Sequence, residues 1–236
     1  MNFNVYIGYD EREDIAAEVC AYSIKKRVLF DEPDIWFLKS QNIDTYTRPK
    51  EPNQSTDFTY TRFMIPSIEM YGKGHGKQFS VFCDCDFLFL EDISELVYTV
   101  DWSKAVSVVK HPPYIPHTSI KMDGVTQHSM PRKNWASLIV FNNAHPSNRA
   151  LTPEYVNTTM PGRRLHQFDW LQDDEIGSIT MEWNTLDDYY LLEHPKAIHY
   201  TDGGPWFIDY NNTMYAQRWI DEFDDYTESK RHLQSI

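Results

Sequence analysis

Polar and apolar residues alternate through Asn2-Phe3-Asn4-Val5-Tyr6-Ile7-Gly8-Tyr9, which predicts a strand, and the charged cluster Asp10-Glu11-Arg12-Glu13-Asp14 closes it. From Ile15 the period changes. Ile15, Val19, Tyr22, Ser23 and Lys26 recur at helical spacing, with acids before them and Lys25, Lys26 and Arg27 at the far end, a polarity that suits a helix dipole. Ile35-Trp36-Phe37-Leu38 predicts a second short strand. Strand, helix and strand at this pitch predict a parallel βαβ unit, in which ligands collect at the carboxyl ends of the strands. Tyr9 and Asp10 stand at such an end.

Residues 40–55, with Pro49 and Pro52, read as a loop, after which Thr56 or Asp57 can cap a helix to about Tyr71. Arg62 falls inside that helix, and Pro66 is expected to kink or shorten it. Gly72-Lys73-Gly74-His75-Gly76 predicts a turn before the apolar run Phe79 to Leu90; Glu91 to Leu96 opens a short helix, and Ala105–Val109 and Ser137–Asn142 predict buried strands. The four prolines between His111 and Arg132 predict an excursion over the surface, of a length common in lids and acceptor-binding elements. A helix or turn is expected at Thr152–Thr159, a polar cluster at Gln172-Asp173-Asp174-Glu175, and late short strands at Trp183-Asn184 and Ala197–Tyr200. Thr201-Asp202-Gly203-Gly204-Pro205-Trp206 must be a tight loop. From Asn211 to about His232 an acidic helix would carry Tyr215, Trp219, Phe223 and Tyr226 on one face.

The run Phe79 to Leu90 carries the chemistry. Asp84 and Asp86 interrupt it two residues apart, so in a continuous strand both would face one way and Cys83 and Cys85 the other. Two carboxylates on one buried face cost several kcal/mol unless a cation, a basic partner or water meets them. A divalent ion satisfies both at once, and oxygen ligands suit Mg²⁺ or Mn²⁺. The plainer reading is a strand that ends at Cys83 and enters a polar turn; the immediate return of Phe87-Leu88-Phe89-Leu90 favours the metal.

Composition narrows the class. A chain of 236 residues, 41% hydrophobic and 15% aromatic, can bury a real core, and without an internal repeat it reads as one domain. A formal charge of -13 argues against a broad grip on nucleic acid or anionic membrane, although a few local cations and a metal could still hold phosphate. No apolar stretch approaches the roughly eighteen residues of a membrane span, and Met1-Asn2-Phe3-Asn4 lacks signal-peptide character, so the expected location is cytoplasmic. The three cysteines suit reduced thiols there.

These residues resemble the metal-dependent glycosyltransferases of the GT-A fold, of the glycogenin and bacterial lipopolysaccharide galactosyltransferase type. The resemblance rests first on Phe82-Cys83-Asp84-Cys85-Asp86-Phe87-Leu88-Phe89-Leu90-Glu91-Asp92-Ile93-Ser94-Glu95-Leu96, which looks like that family's strand, D-x-D motif and following helix. Asp10, Thr59-Tyr60-Thr61-Arg62, Phe141-Asn142 and His199 before a glycine loop and Pro205-Trp206 follow in the family's order. It implies one α/β, Rossmann-like domain with a mostly parallel sheet flanked by helices. Residues 1–110 would form a nucleotide-binding part, 111–206 an acceptor and catalytic part, and 207–236 a helical tail.

It further implies that Asp84, Asp86 and His199 ligate Mn²⁺ or Mg²⁺, and that Tyr9, Asp10, Arg62, Asp84, Gly203, Gly204 and Trp206 line a nucleotide-sugar donor such as UDP-hexose. A saccharide or other hydroxyl compound would accept the sugar, with retention. Gly203 and Gly204 would let backbone N–H groups approach phosphate. Gln172-Asp173-Asp174 corresponds to the family's D-Q-D element, which places Asp173, or Asp174 one position on, beneath the anomeric carbon. This chain departs from the pattern at Gly204, where the family carries a phosphate-contacting Lys, and at Arg12 or Glu13, where an aromatic residue is common. The competing readings are a sugar-phosphate nucleotidyltransferase, for which Gly8-Tyr9-Asp10-Glu11 lacks the Gly-rich basic loop, and a non-enzymatic carbohydrate-binding protein.

Overall fold

A computed structural model describes the chain except residues 1, 30, 52–53, 73–75, 114–119, 122–124, 127–130 and 235–236. Most of the expected excursion from His111 to Arg132, Pro52 of the expected loop, and Lys73-Gly74-His75 of the expected turn lie outside the described residues. The chain begins as its periodicity predicts, with β1 (Phe3–Gly8), α1 (Asp14–Arg27) and β2 (Asp34–Leu38). β1 and β2 pair in parallel from Asn4 beside Asp34 to Gly8 beside Leu38. There follow α2 (Ile65–Tyr71), β3 (Phe79–Cys83), β4 (Phe87–Phe89), α3 (Ser94–Thr99), β5 (Val106–Val109), the short hairpin β6 (Ile120–Lys121) and β7 (Val125–Thr126), and β8 (Leu138–Asn142). The chain closes with α4 (Gly162–His166), β9 (Ile176–Ile179), β10 (Thr185–Leu186), β11 (Ala197–His199) and α5 (Ala216–Gln234).

The main sheet has the order β2-β1-β3-β8-β5-β9. Its strands run in parallel except β8, which is antiparallel to both β3 and β5. A second sheet, β10-β11-β4, stands at its carboxyl edge. The strands of the main sheet's centre are buried on both faces, which is why β3 and β8 read as mostly apolar runs instead of alternating ones. Three polar exceptions share one acceptor: Glu69 Oε1 accepts from Asn4 Nδ2 (2.7 Å), Tyr6 OH (2.9 Å) and Ser80 Oγ (3.0 Å), so one buried carboxylate ties α2 to β1 and β3.

Three expectations need correction. The run Phe79 to Leu90 is two strands in two sheets, with a turn at Cys85 and Asp86 between them. Cys83 and Cys85 therefore share no face: Cys83 Sγ lies 3.9 Å from Cys20 Sγ, and Cys85 Sγ 3.6 Å from Glu13 Oε2. Both are free thiols, and burial pushes both well above the ordinary thiol range. Pro66 accompanies a shortened helix, one of the two effects expected of it, and no kink. It sits in the first turn of α2, where its missing N–H costs no hydrogen bond, and Arg62 belongs to a 3₁₀ turn, Thr61–Met64, ahead of it. Trp183 and Asn184 end a 3₁₀ helix, Met181–Asn184, and the strand starts one residue later.

The tail follows its pattern. Tyr215 and Trp219 are buried, with Phe223 and Tyr226 packed beside them, in a satellite core with Val19, Leu88, Ile198 and Tyr200. α5 is pinned to α1 by Arg27, whose Nη1 and Nη2 meet Glu222 at 2.8 and 2.7 Å. Among the described residues no helix is long and apolar enough to cross a membrane.

Candidate active site

Asp84 and Asp86 sit where β3 gives way to β4, and backbone pairing fixes both. The Asp84 N–H donates to Ser137 O at 2.9 Å, extending the β3–β8 ladder, and the Tyr200 N–H donates to Asp86 O at 3.0 Å, extending the β4–β11 ladder. The antiparallel register of β4 and β11 sets His199 opposite Phe87, and the two rings stack with centroids 4.5 Å apart. His199 Nε2 thereby arrives 3.4 Å from Asp86 Oδ1. Asp84, Asp86 and His199 each offer a ligand atom, and these atoms all lie within 4.8 Å of one another.

Two observations show that a divalent cation fits this group. Asp86 Oδ1 is buried and receives no hydrogen bond, a cost of the order of 1–3 kcal/mol or more that a cation would remove. The donor set, two carboxylates and one imidazole, suits a divalent cation with coordination places left for other ligands. Arg62 supplies a resident positive charge. It is buried, with Nη1 2.7 Å from Asp84 Oδ1 and 2.6 Å from Ala136 O, and its guanidinium carbon lies 4.6 Å from the centroid of the Phe82 ring. Arg62, expected to contact the donor, lies within the core against Asp84.

The other predicted residues are placed as follows. Tyr9, half-buried at the end of β1, donates its hydroxyl to Asp14 Oδ1 at 2.7 Å and carries Lys39 Nζ over its ring at 3.8 Å. Asp10 is buried and accepts from Arg12 Nε (2.9 Å), Arg12 Nη2 (2.8 Å) and the N–H groups of Arg12 and Asp57, both at 3.1 Å. Burial opposes its charge, but these bonds outweigh burial and hold the carboxyl below its ordinary range. Asp10 thus caps the turn after β1, with Arg12 paired to it.

Gly203 adopts φ +127°, open to glycine, and its N–H donates to Tyr200 O at 2.9 Å, which closes the turn. A Cβ on Gly204 would lie 2.1 Å from the Trp206 indole, which fills the space a lysine stem would need. Trp206 packs in turn on Trp219 of α5, with centroids 5.2 Å apart. Asp173 and Asp174 do not join the metal-ligand group. They lie exposed on a 3₁₀ turn capped by Gln172 and Glu175, with the Asp173 side chain 89% exposed and paired to Arg132 Nη2 at 2.6 Å.

Two further residues near the group, His111 and Asn184, were not singled out in the sequence. His111, buried just past β5, lies parallel to Tyr190 with ring centroids 6.0 Å apart; burial, and secondarily the nearby His199, lower its pKa to about 4. Its signal was a histidine at a strand's carboxyl end. Asn184, whose Oδ1 faces His199 Nδ1 at 3.0 Å, had none, because that contact depends on the pairing of β10 with β11.

A six-stranded sheet with one reversed strand, a small second sheet at its carboxyl edge and an Asp-x-Asp turn between them is the GT-A architecture. The structure is similar to the WbbM bifunctional glycosyltransferase (TM-score 0.66, 17% identity, 94% of this chain and 49% of that one) and to the galactosyltransferase LgtC in complex with donor and acceptor sugar analogs (TM-score 0.58, 12% identity, 94% of this chain and 95% of that one). It is also similar to the glycosyltransferase GlyE of Streptococcus pneumoniae TIGR4 (TM-score 0.60, 12% identity, 94% of this chain and 60% of that one). The chain spans about half of WbbM. No protein-family model matches the chain. In sequence it is 39% identical over 237 residues to Protein CDI of Arabidopsis thaliana, across 97% of this chain and 89% of that protein, and it belongs to the same family.

Proposed function

We propose that this protein transfers a hexose from a nucleotide-diphosphate sugar, with UDP favoured, to an acceptor hydroxyl, with the anomeric configuration retained and with Mn²⁺ or Mg²⁺ held by Asp84, Asp86 and His199. The observation that carries the reading is the convergence of these three side chains around a buried carboxylate oxygen without a hydrogen bond. When bound, the ion would act as a Lewis acid on the leaving diphosphate. The protein's part is to hold the ligands. Arg62 orients Asp84 and offsets its charge, the β4–β11 ladder delivers His199, and the stack on Phe87 restricts the imidazole's rotation. The segment 1–110 would bind the nucleotide and 111–206 the acceptor. Glycosyl transfer is favoured over nucleotidyl transfer by the turn after β1, where Asp10 is an acidic cap and no Gly-rich basic loop stands.

The test is thermal shift and calorimetry with UDP in Mn²⁺ and in excess EDTA, followed by a screen of UDP-hexoses for metal-dependent hydrolysis. UDP should bind and stabilise only with the metal. Metal-independent UDP binding, or full turnover in EDTA, would overturn the reading.

A further inference from the structure

A hydrogen-bonded relay runs from the backbone to the imidazole of His199, and its polarity follows from proton counting. Ser137 Oγ stands 2.7 Å from Asn134 O, which can only accept, so the single hydroxyl proton goes there. Ser137 Oγ also stands 2.9 Å from the Asn184 amide and, with its proton committed, must accept from it. The amide atom facing Ser137 is therefore Nδ2, which also lies 3.4 Å from Asn134 O, another acceptor. Its partner, Oδ1, faces His199 Nδ1 at 3.0 Å and requires a proton on that nitrogen. The neutral ring then keeps its lone pair on Nε2, the atom 3.4 Å from Asp86 Oδ1. A lone pair aimed at a carboxylate oxygen is unfavourable until a cation comes between them.

We infer that Asn184 is a positioning residue that selects the Nδ1–H tautomer of His199 and so presents Nε2 as a metal ligand; this rests on the metal reading given above. The relay also couples the two ends of the site. Ser137 accepts the Asp84 N–H at its carbonyl and the Asn184 amide at its hydroxyl, so one residue between the two sheets locates both the D-x-D turn and the histidine. Partners of this kind fix the tautomer and the ring plane of a metal-bound histidine, and losing one typically costs about 10–100-fold in metal affinity.

The experiment is long-range ¹H–¹⁵N correlation NMR of the metal-free, histidine-labelled protein, at a pH where the ring is neutral, paired with Mn²⁺ calorimetry. The wild type should show His199 protonated at Nδ1. Asn184→Leu, which keeps the volume and removes the acceptor, should shift His199 toward the Nε2–H form and weaken Mn²⁺ binding by about 10–100-fold. Asn184→Asp keeps an acceptor and should retain the Nδ1–H form. Should Asn184→Leu fail to fold, Ser137→Ala releases the amide's orientation and should give a mixture of tautomers. A wild-type Nε2–H tautomer overturns the inference without any variant, and so does Asn184→Leu with an unchanged tautomer or unchanged Mn²⁺ affinity; each leaves the metal reading standing. Wild-type protein with the Nδ1–H tautomer that binds no Mn²⁺ overturns the metal reading itself, and with it the purpose assigned to Asn184.

Discussion

Arg62 places Nη1 2.7 Å from Asp84 Oδ1, so one of the two carboxylates at the D-x-D turn already has a buried cation against it. The pair is set by distant parts of the chain: Arg62 by the 3₁₀ turn before α2, Asp84 by the end of β3. Breaking a buried pair from one side leaves an uncompensated charge, at about 3 kcal/mol. Arg62→Met should therefore lower the stability of the metal-free protein by about that much. Mn²⁺ should restore more of the melting temperature to Arg62→Met than it adds to the parent; an equal increment would separate Asp84 from the metal.

Asp86 makes the opposite prediction. Its Oδ1 is buried without a hydrogen bond, 3.4 Å from His199 Nε2. Asp86→Asn removes the charge and puts an N–H where the Nε2 lone pair can accept it, a gain of about 1 kcal/mol. The variant should melt higher than the parent without metal and lose all stabilisation by Mn²⁺, the usual opposition of stability and function at a site. A lower melting temperature in EDTA would show that Asp86 has a native partner other than the ion.

Acid should weaken the fold through its buried histidines. Burial first, then the neighbouring Arg62 and Arg48, hold His166 neutral down to about 3, and burial holds His111 neutral to about 4. The unfolded chain takes up both protons near 6.5, so between about 6.5 and 4 it binds more protons than the native state and stability falls as pH falls. Asp187, pushed up to about 6 by burial, opposes this by binding its proton early in the native state. Urea midpoints at pH 7.5 and 5 should show a net loss. His166→Phe should shrink that loss by about 2 kcal/mol; an unchanged loss would place the acid sensitivity elsewhere.

Gly204 and Trp206 should behave as one packing unit. A Cβ at Gly204 would meet the indole at 2.1 Å, so Gly204→Ala must move Trp206 off Trp219, at about 1–3 kcal/mol for overpacking. Tryptophan fluorescence should shift with the melting temperature. Gly204→Ala with the parent's spectrum and stability would mean that the loop has room for a side chain.

Asp173, 89% exposed and paired with Arg132, should tolerate Asn with little change in turnover. Loss of kcat on the order of a hundredfold at unchanged donor affinity would instead bring Asp173 to the reacting carbon, the place the family resemblance assigns it.

β1, β2, β3, β5, β8 and β11, with α1 and α5, were legible in the sequence because burial leaves a pattern along the chain: Phe79–Cys83 and Leu138–Asn142 are mostly apolar runs, and Tyr215, Trp219, Phe223 and Tyr226 repeat at helical spacing, whereas the short β6, β7 and β9 carry no such signal. Asp84 and Asp86 were legible for the same reason, as charges an apolar run does not tolerate without a partner. Periodicity carries no information about which distant segments pair, and there the tertiary structure decided. It split Phe79 to Leu90 between two sheets, turned Arg62 onto Asp84, and left Asp173 in solvent because the Gln172–Glu175 capping box governs that turn. Above all, the register of β4 on β11, backed by β10, brought His199 to Asp86 and Asn184 to His199, since hydrogen-bonded pairing between distant strands, and no local pattern, fixes where those side chains meet.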